Sequence, residues 1–408
     1  MYGWTKWFYR SGCMAVIILY ILWVIAALLI GYDIAAALTE RFSHVHIGRW
    51  KDEEQWERAV AKVCGRWVVR TPVLRLREDN RYLLLDRLTG KYGSRTVQAW
   101  QKAGCFLGLT EEGNSADALR TAVSGLISAD GIWKCETANK VDYALLAYAV
   151  LKAEKDPQRI RPAMDQVYDI LKGNICPDGM ISYSAGSSAD RRFVDTLGMV
   201  CAFLALYGKI YEKPESAALA YEQIRIFHEE GVAYGLPVHC YKKDGLIPLG
   251  IYGWGRGAGW YTLALVDVYL EMDADERREQ LRLWIQESAE DLMRYERSDG
   301  GFSSVLADFG NYDSSATAML GYFYARCAQI FQARAYYALA VRCRNRLKQV
   351  TKVSGVVDGC QGDTRGIGVF STRYAGMPFA QGMTLRLIHV LNRVDMEWKQ
   401  NQEQNIPF

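Results

Sequence analysis

The chain alternates between long stretches that are apolar on every side and stretches that carry one charged face. Apolar residues recur at helical spacing and strand-like alternation is scarce, so the pattern predicts an almost entirely helical protein. The predicted core helices cover 141–155, 196–211, 260–272, 316–331 and 384–394. The amphipathic helices between them include 214–230 and 274–296. A helix that is apolar all round is buried and an amphipathic helix covers it, which indicates an inner and an outer layer.

An Asp-Gly pair recurs between these helices. The pairs begin at Asp130, Asp178, Asp244, Asp299 and Asp358, with spacings of 48, 66, 55 and 59 residues. Asp-Gly suits tight turns because Gly tolerates positive φ and Asp bonds to nearby backbone. The spacing predicts a repeated helix–turn–helix unit whose copies must stack to bury their apolar helices. With one further pair from 50–120, six helical hairpins close into an all-α (α/α)6 barrel.

The first stretch of the chain predicts a membrane-spanning helix. Residues 11–32 carry no charged side chain and are long enough to cross a hydrocarbon layer of roughly 30 Å. Lys6 and Arg10 precede the stretch, which predicts the N-terminus inside and the rest of the chain outside. A cleavable signal peptide is the alternative, although the run is long for one and 35–38 is a weak cleavage site. The predicted organisation is an uncleaved membrane anchor at 1–32, a linker at 33–49 and the helical domain at 50–408.

Composition excludes several function classes. The 408 residues carry a net charge of +3 without basic runs interleaved with aromatics, which argues against nucleic-acid binding. The phosphate-loop, dinucleotide-binding, zinc-protease and nucleophile-elbow motifs are missing from the sequence. Aromatic residues make up 12% of the chain, which is common in proteins that stack sugars but also fits a large core.

The ten cysteines complicate the predicted topology. Cys13 lies in the apolar stretch, and the other nine are scattered without the ligand spacing of a zinc site, so no metal is predicted. Such usage fits a reducing compartment better than an oxidising one. The anchor rests on more specific physics, and we therefore retain the extracytoplasmic prediction.

The repeat also predicts where chemistry lies, because equivalent positions of stacked units share one rim of a closed ring. Asp142 and Asp195 begin apolar helices of successive units. Two carboxyl groups in an apolar cavity raise at least one pKa, and a carboxylic acid that stays protonated near neutral pH can act as a general acid. Each has a structural alternative: Asp195 as the N-cap of a helix from Thr196, and Asp142 at the third position of a helix capped by Asn139.

The stretch "YGWGRGAGWY" at 252–261 places Arg256 between Trp254 and Trp260. Arg suits bidentate recognition of a carboxylate, or it stacks on the indoles to hold a loop. The glycines allow close approach to a ligand or a tight turn into the next helix. His239, fifteen residues before Trp254, is a candidate substrate contact, although a lone His is more often structural.

Three stretches carry a family resemblance: "FVDTLGMVCAFLALYG" at 193–208, the block at 252–268, and "YDSSATAMLGYFYA" at 312–325. They resemble the unsaturated rhamnogalacturonyl hydrolases of glycoside hydrolase family 105 and, more distantly, the unsaturated glucuronyl hydrolases of family 88. The resemblance implies an (α/α)6 barrel without metal or cofactor. It also implies an oligosaccharide substrate with a 4,5-unsaturated uronic acid at the non-reducing end.

By the same resemblance, Asp195 is the acid/base and Asp142 its companion. The implied substrate contacts are His239, Trp254, Arg256 and Trp260. Asp protonates C4 of the double bond, water adds at C5, and the hemiketal opens with loss of the glycosidic bond. The chain departs from the family at Asp313-Ser314, where Glu or another polar residue is usual.

Two alternatives stay open from sequence. One is a non-catalytic barrel that binds acidic glycans, and the other is a different (α/α)6 enzyme such as an epimerase or an inverting glycosidase.

Overall fold

The computed structural model describes residues 2–72, 83–89, 98–112, 116–135, 141–183 and 189–404. Fourteen α-helices and a few short strands make up the regular structure of these residues. The predicted all-α class is therefore confirmed.

Six helices form a closed inner ring in which each helix contacts the next and the last contacts the first. They are α4 (Ala99–Glu112), α6 (Tyr143–Ala153), α8 (Val194–Ile210), α10 (Gly255–Glu271), α12 (Ser314–Phe331) and α14 (Pro378–Gln404). The all-round apolarity of these sequences follows from this position. In α6, for example, every residue from Tyr143 to Leu151 is buried.

Six amphipathic helices pack on the outside of this ring. They are α2 (Glu53–Val69), α5 (Ala116–Leu126), α7 (Arg161–Gly173), α9 (Pro214–Gly231), α11 (Glu276–Met293) and α13 (Arg334–Gln349). In α11 the buried residues Leu281, Trp284, Ile285, Ser288 and Leu292 follow helical spacing on one face. Outer and inner helices alternate along the chain, as the sequence pattern predicts.

The ring closes where α14 meets α4, through backbones in direct contact. A Cβ atom on Gly382 would overlap the carbonyl oxygen of Gly104, and one on Gly108 would lie 2.5 Å from the carbonyl oxygen of Gly382. Only glycine allows two helices to approach this closely.

We call the segments that lead from each outer helix to the next inner helix the entrance rim. In the described chain it comprises 70–72, 83–89, 98, 127–135, 141–142, 174–183, 189–193, 232–254, 294–313 and 350–377. It carries β1 (Arg191–Phe193), β2 (Val232–Ala233), β3 (Leu236–Lys242), β4 (Ile247–Tyr252), β5 (Ser303–Val305), β6 (Asp308–Tyr312), β7 (Cys360–Gln361) and β8 (Tyr374–Ala375), and the short helix α3 (Leu83–Leu88). β3 pairs antiparallel with β1, β2 and β4.

The glycines of all five Asp-Gly pairs have positive φ, which is the turn chemistry that the sequence predicts. Three of the pairs occupy equivalent turns, in which the N–H of Gly131, Gly179 or Gly300 donates to the carbonyl three residues earlier.

The predicted register of the repeat is wrong in two units. Gly355, which follows Ser354, fills the equivalent turn after α13, whereas Asp358-Gly359 lies beyond it. After α9 the turn is made at Gly235, and Asp244-Gly245 forms the tip of the β3–β4 hairpin. A Ser-Gly or Tyr-Gly pair can turn the chain as well, so the Asp-Gly signal does not mark every unit.

The N-terminal helix α1 runs without interruption over Tyr2–Ser43. Residues 33–43 of the predicted linker are therefore helical. Met14–Ser43 is long and apolar enough to cross a membrane, with a hydropathy of 2.8, and its apolar part is not buried by the rest of the chain. An N-terminal signal sequence can also contain a helix that is long and apolar enough to meet these criteria.

Candidate active site

A cavity of about 390 Å³ opens on the entrance rim. Its lining residues are Gln98, Trp100, Tyr183, Arg191, Phe193, Asp195, Met199, His239, Trp254, Arg256, Trp260, Asp363, Thr364, Arg365, Gly366 and Ile367. Five of the six residues that the sequence singled out for the site are therefore together in one cavity, and Asp142 is not among the lining residues.

Asp195 lies in the first turn of α8, where it is not the helix cap. The helix begins at Val194 and the cap position is Phe193, so the alternative of Asp195 as the N-cap is wrong. Its side chain is 17% exposed because it faces the cavity.

Burial raises the pKa of Asp195 to about 7. Its own backbone N–H, the charge of Arg256 and the indole N–H of Trp260 oppose this rise without cancelling it. Near neutral pH the carboxyl group is therefore divided between its acid and its ionised form, as a residue that both donates and accepts a proton requires.

His239, on β3, faces Asp195 as a neutral imidazole. Its Nε2 atom is 3.7 Å from Oδ2 of Asp195, and burial lowers the pKa of His239 to about 4. The backbone N–H of Gly368 donates to Nδ1 at 3.5 Å, which leaves the proton on Nε2, the nitrogen that faces the carboxyl group.

Arg256 is 2% exposed and is held by the protein along one edge of its guanidinium. Nε donates to Oγ of Ser315 at 3.1 Å, and Nη2 donates to the backbone carbonyls of Gln361 and Gly362. The group lies over the rings of Trp254 and Trp100, 5.7 and 5.8 Å from their centroids. Trp100 takes the stacking position that the sequence assigned to Trp260.

No described carboxylate lies within ion-pair distance of Arg256, whose guanidinium is buried at the cavity wall. Nη1 makes no hydrogen bond to any residue in the described part of the chain. Burial lowers the pKa of Arg256, but the charges of Cys360, Asp313, Asp363 and Asp195 raise it more, so the guanidinium stays charged. Since none of these groups pairs with it directly, Nη1 is left for an anion in the cavity.

The fully buried Asp313 organises this wall through two neighbours. It accepts hydrogen bonds from N and Oγ of Ser315, at 2.9 and 2.8 Å, and from the backbone N–H of Gln361 at 3.0 Å. Ser315 in turn holds Arg256, and the Gln361 side chain accepts from Trp254 Nε1 at 3.1 Å. The residue that departs from the family pattern thus supports both Arg256 and Trp254.

Asp142 directly precedes α6, is 6% exposed and makes no capping hydrogen bond through its side chain. Asn139, its proposed partner in the structural alternative, lies outside the described residues. Burial raises the pKa of Tyr183, and the charges of Asp142, Asp195 and Asp363 raise it further. Three carboxyl groups therefore surround the ring of Tyr183, which lines the cavity.

Asp363 is the carboxyl group that sequence reasoning missed. It lines the cavity with Asp195 and is 6% exposed. It lies in an irregular part of the entrance rim, where neither helical periodicity nor the repeat gives a signal. Trp100 was also missed, although it begins an inner helix and meets Trp260 edge-on at 5.7 Å.

Most of the glycine-rich stretch is helical rather than a loop, because α10 begins at Gly255. A Cβ atom on Gly259 would lie 2.7 Å from the Met319 sulfur, and one on Gly257 would lie 2.8 Å from the Trp254 ring. These glycines therefore serve close packing inside the protein, not an approach to ligand.

The inner and outer helices pair into the six-hairpin fold, and the cavity opens at one end of it. The profile of Glycosyl Hydrolase Family 88 matches residues 108–368, about two thirds of the chain, and the chain belongs to that family. No curated protein sequence matched the chain.

Solved structures of similar fold cover most of the chain at low identity. A possible family 105 member from Salmonella enterica is 17% identical with a TM-score of 0.66, over 85% of this chain and 96% of its own. An unsaturated glucuronyl hydrolase specific for heparin is 14% identical with a TM-score of 0.64, over 84% and 99%. The unsaturated glucuronyl hydrolase of Bacillus sp. GL1, responsible for glycosaminoglycan degradation, is 15% identical with a TM-score of 0.60, over 83% and 94%.

Proposed function

We propose that this protein releases a 4,5-unsaturated uronic acid from the non-reducing end of short oligosaccharides by hydrating the vinyl ether double bond. The observation that carries the proposal is the Asp195 carboxyl group, which faces the cavity with a pKa of about 7. Protonation of a double bond needs a carboxylic acid that survives near neutral pH. The names of the two glucuronyl hydrolases of similar fold support an unsaturated uronide as substrate.

The reaction needs one acid/base residue. Asp195 gives its proton to C4 of the double bond and becomes a carboxylate. The carboxylate then takes a proton from the water that adds to C5, which restores the acid. The product is a hemiketal that opens to a keto sugar and releases the rest of the oligosaccharide.

The carboxylate of the sugar is the anion that Arg256 favours. Nη1 is the guanidinium nitrogen left for it, since Nε and Nη2 already donate to the protein. Trp254 and Trp260 line the cavity as flat apolar walls, and His239 offers its Nε2–H to a sugar hydroxyl or to Asp195. Asp142 and Asp363 add negative charge near Tyr183, which lines the same cavity as the acid.

The helix α1 anchors the protein in a membrane through 11–32, with the barrel outside the cytoplasm. Length, apolarity and exposure support a membrane-spanning segment. Seven of the nine described cysteines are buried, and buried thiols are inert to exchange. Protease treatment of intact cells tests this topology, because a barrel that faces the cytoplasm survives the treatment.

The experiment for the reaction follows the ultraviolet absorbance of the conjugated double bond in disaccharides made by a polysaccharide lyase. The wild type should remove this absorbance. Asp195→Asn should lower the rate by about 10²–10⁴-fold, because the proton donor is lost while the helical circular dichroism signal stays.

Other outcomes identify the alternatives. Binding of unsaturated uronides without any loss of absorbance contradicts the proposal and favours a glycan-binding barrel. Cleavage of a saturated oligosaccharide, which has no double bond to hydrate, identifies an ordinary inverting glycosidase.

A further inference from the structure

The end of α1 is bonded to one particular part of the barrel. Nζ of Lys352 lies 2.5 Å from a carboxylate oxygen of Glu40, and Nε2 of His44 lies 2.6 Å from Oδ2 of Asp358. The backbone N–H of Gly48 donates to the carbonyl of Thr351 at 2.9 Å. The contacts on the barrel side lie at the end of α13 and in the adjoining part of the entrance rim.

These side chains form an ion-pair latch rather than a metal site. Glu40, His44 and Asp358 are close enough to share a cation, but the Lys352 ammonium already lies 2.5 Å from Glu40 and 3.4 Å from Asp358. A positive group among the oxygens takes the place of a metal ion.

A second contact lies further up α1, toward its apolar part. The carboxylate of Asp33 accepts the backbone N–H of Leu84 at 3.1 Å. Leu84 belongs to α3, which lies between the outer helix α2 and the inner helix α4. Both contacts therefore join α1 to the rim that carries the cavity, and the apolar part of α1 begins on that side.

The same rim carries almost all of the exposed large apolar side chains of the described helical domain. Those at least 40% exposed are Leu85, Leu88, Ile132, Ile175, Tyr234, Leu246, Ile247, Phe309, Val353 and Val369. Away from the rim, the only residues of the described helical domain exposed to this degree are Val69, which borders the rim at the end of α2, and Leu283 and Met396; Val45 follows the end of α1. Single exposed apolar residues are common on protein surfaces. Their concentration at one end of the barrel is unusual and needs an explanation.

We infer that the entrance rim rests on the lipid bilayer, with the apolar tips of its connections in contact with lipid. The inference depends on the proposed membrane anchor. The latch holds the rim beside the point where α1 enters the membrane, and transfer of exposed apolar side chains into the interface stabilises that contact in proportion to the area buried. The cavity then opens toward the membrane surface, where short oligosaccharides reach it from the side.

The test uses the full chain in phosphatidylcholine vesicles whose acyl chains carry a photoactivatable diazirine. Mass spectrometry of the cross-linked peptides then locates lipid contact. Peptides that contain Ile247, Phe309 or Val369 should be labelled several-fold more than the peptide of Leu283, on the side of the barrel. Labelling confined to α1, or equal labelling of the side of the barrel, overturns the inference.

A matched pair of variants separates lipid contact from mere exposure. Ile247→Glu combined with Phe309→Glu should reduce rim labelling by several-fold, whereas Leu283→Glu should leave it unchanged. Hydrolysis of a soluble unsaturated disaccharide is measured on the same protein in detergent. If the protein hydrolyses the disaccharide but lipid does not label its rim, only the membrane contact is contradicted. If lipid labels the rim but the protein does not hydrolyse the disaccharide, only the proposed reaction is contradicted.

Discussion

At the scale of single residues, the site depends on a carboxyl group that the fold keeps from ionising freely. Burial raises the pKa of Asp195 from 3.8 to about 7, while the nearby His239 is held neutral by a pKa of about 4. The raised value makes the residue a general acid, and it also makes its ionised form unfavourable for folding.

The unfavourable ionisation of Asp195 in the folded state predicts how stability depends on pH. The folded pKa of Asp195 lies above the unfolded value, so the folded state binds the extra proton and stability from this group is lost as pH rises through about 7. Asp195→Asn cannot ionise. Its melting temperature should differ least from the wild type below about pH 4, where the unfolded carboxyl group is also protonated, and exceed it by a few degrees near about pH 8.

Asp178→Asn is the control with the opposite sign. Burial raises the pKa of Asp178, but the hydrogen bonds from Arg192 and the Met180 backbone, together with the charges of Arg192 and Lys243, outweigh it, so the net pKa is lowered. This variant should lose stability at the higher pH. If the Asp195→Asn protein is less stable than the wild type near about pH 8, the ionised carboxylate of Asp195 stabilises the folded state, and the prediction is wrong.

Arg256 yields a prediction that separates substrate binding from support of the wall. Arg256→Lys keeps a positive charge but cannot reach both Ser315 and the Gln361 carbonyl. The KM for an unsaturated disaccharide should rise about tenfold, which corresponds to about 1.4 kcal/mol. Ser315→Ala removes one hydrogen bond to Arg256 and leaves the guanidinium, so it should raise the KM less. If Arg256→Lys lowers the melting temperature but leaves the KM unchanged, Arg256 has a structural role only.

At the scale of elements, the apolar pattern predicted the helices well and their ends less well. The core helix predicted at 196–211 is observed at Val194–Ile210, and the amphipathic one at 214–230 is Pro214–Gly231. The largest error is the start of α10 at Gly255, because glycine density indicates a loop unless the packing partners are known. Those partners come from other units, which periodicity along one segment cannot show.

The packing of α8 against α10 gives a prediction at this scale. A Cβ atom on Gly198 would lie 2.5 Å from Cε3 and 2.9 Å from the carbonyl oxygen of Trp260. Gly198→Ala should therefore push the two helices apart, with a loss of about 1–3 kcal/mol in unfolding free energy and weaker substrate binding. Chemical denaturation and the KM measure the two effects.

Gly65, in the outer helix α2, is the matched control. A Cβ atom there would meet nothing within 4 Å. Gly65→Ala should stabilise the protein by about 0.5–1 kcal/mol, because alanine is the better helix former. Equal effects of the two substitutions would mean that helix propensity, not the close contact, determines the result.

At the scale of the whole molecule, the repeat was the feature that linked sequence to site. It indicated that helices far apart in sequence begin on one rim, and Asp195, Arg256 and Trp260 do meet in one cavity. Its register failed after α9 and α13, where Gly235 and Gly355 make the turns. Asp363 was not predicted because the segment between α13 and α14, in which it lies, has no periodic pattern.

The ring also contains buried charged residues, which interrupt the apolar pattern of the inner helices. Arg386 of α14 binds Asp267 of α10 at 2.8 and 2.9 Å, and also reaches Glu111 of α4 at 3.3 Å. These pairs join three inner helices that are remote in sequence. A single charge in an apolar helix shows no partner until the ring is closed, so sequence alone could not predict the network.

The most direct test of the account is the fate of the double bond when the protein acts on an unsaturated disaccharide in D₂O. Protonation of C4 from the solvent-exchanged Asp195 should leave one deuterium on C4 of a saturated keto sugar, which nuclear magnetic resonance detects. Release of the uronic acid with its double bond intact, and without deuterium at C4, would mean that the protein cleaves the glycosidic bond directly and would contradict the proposed hydration.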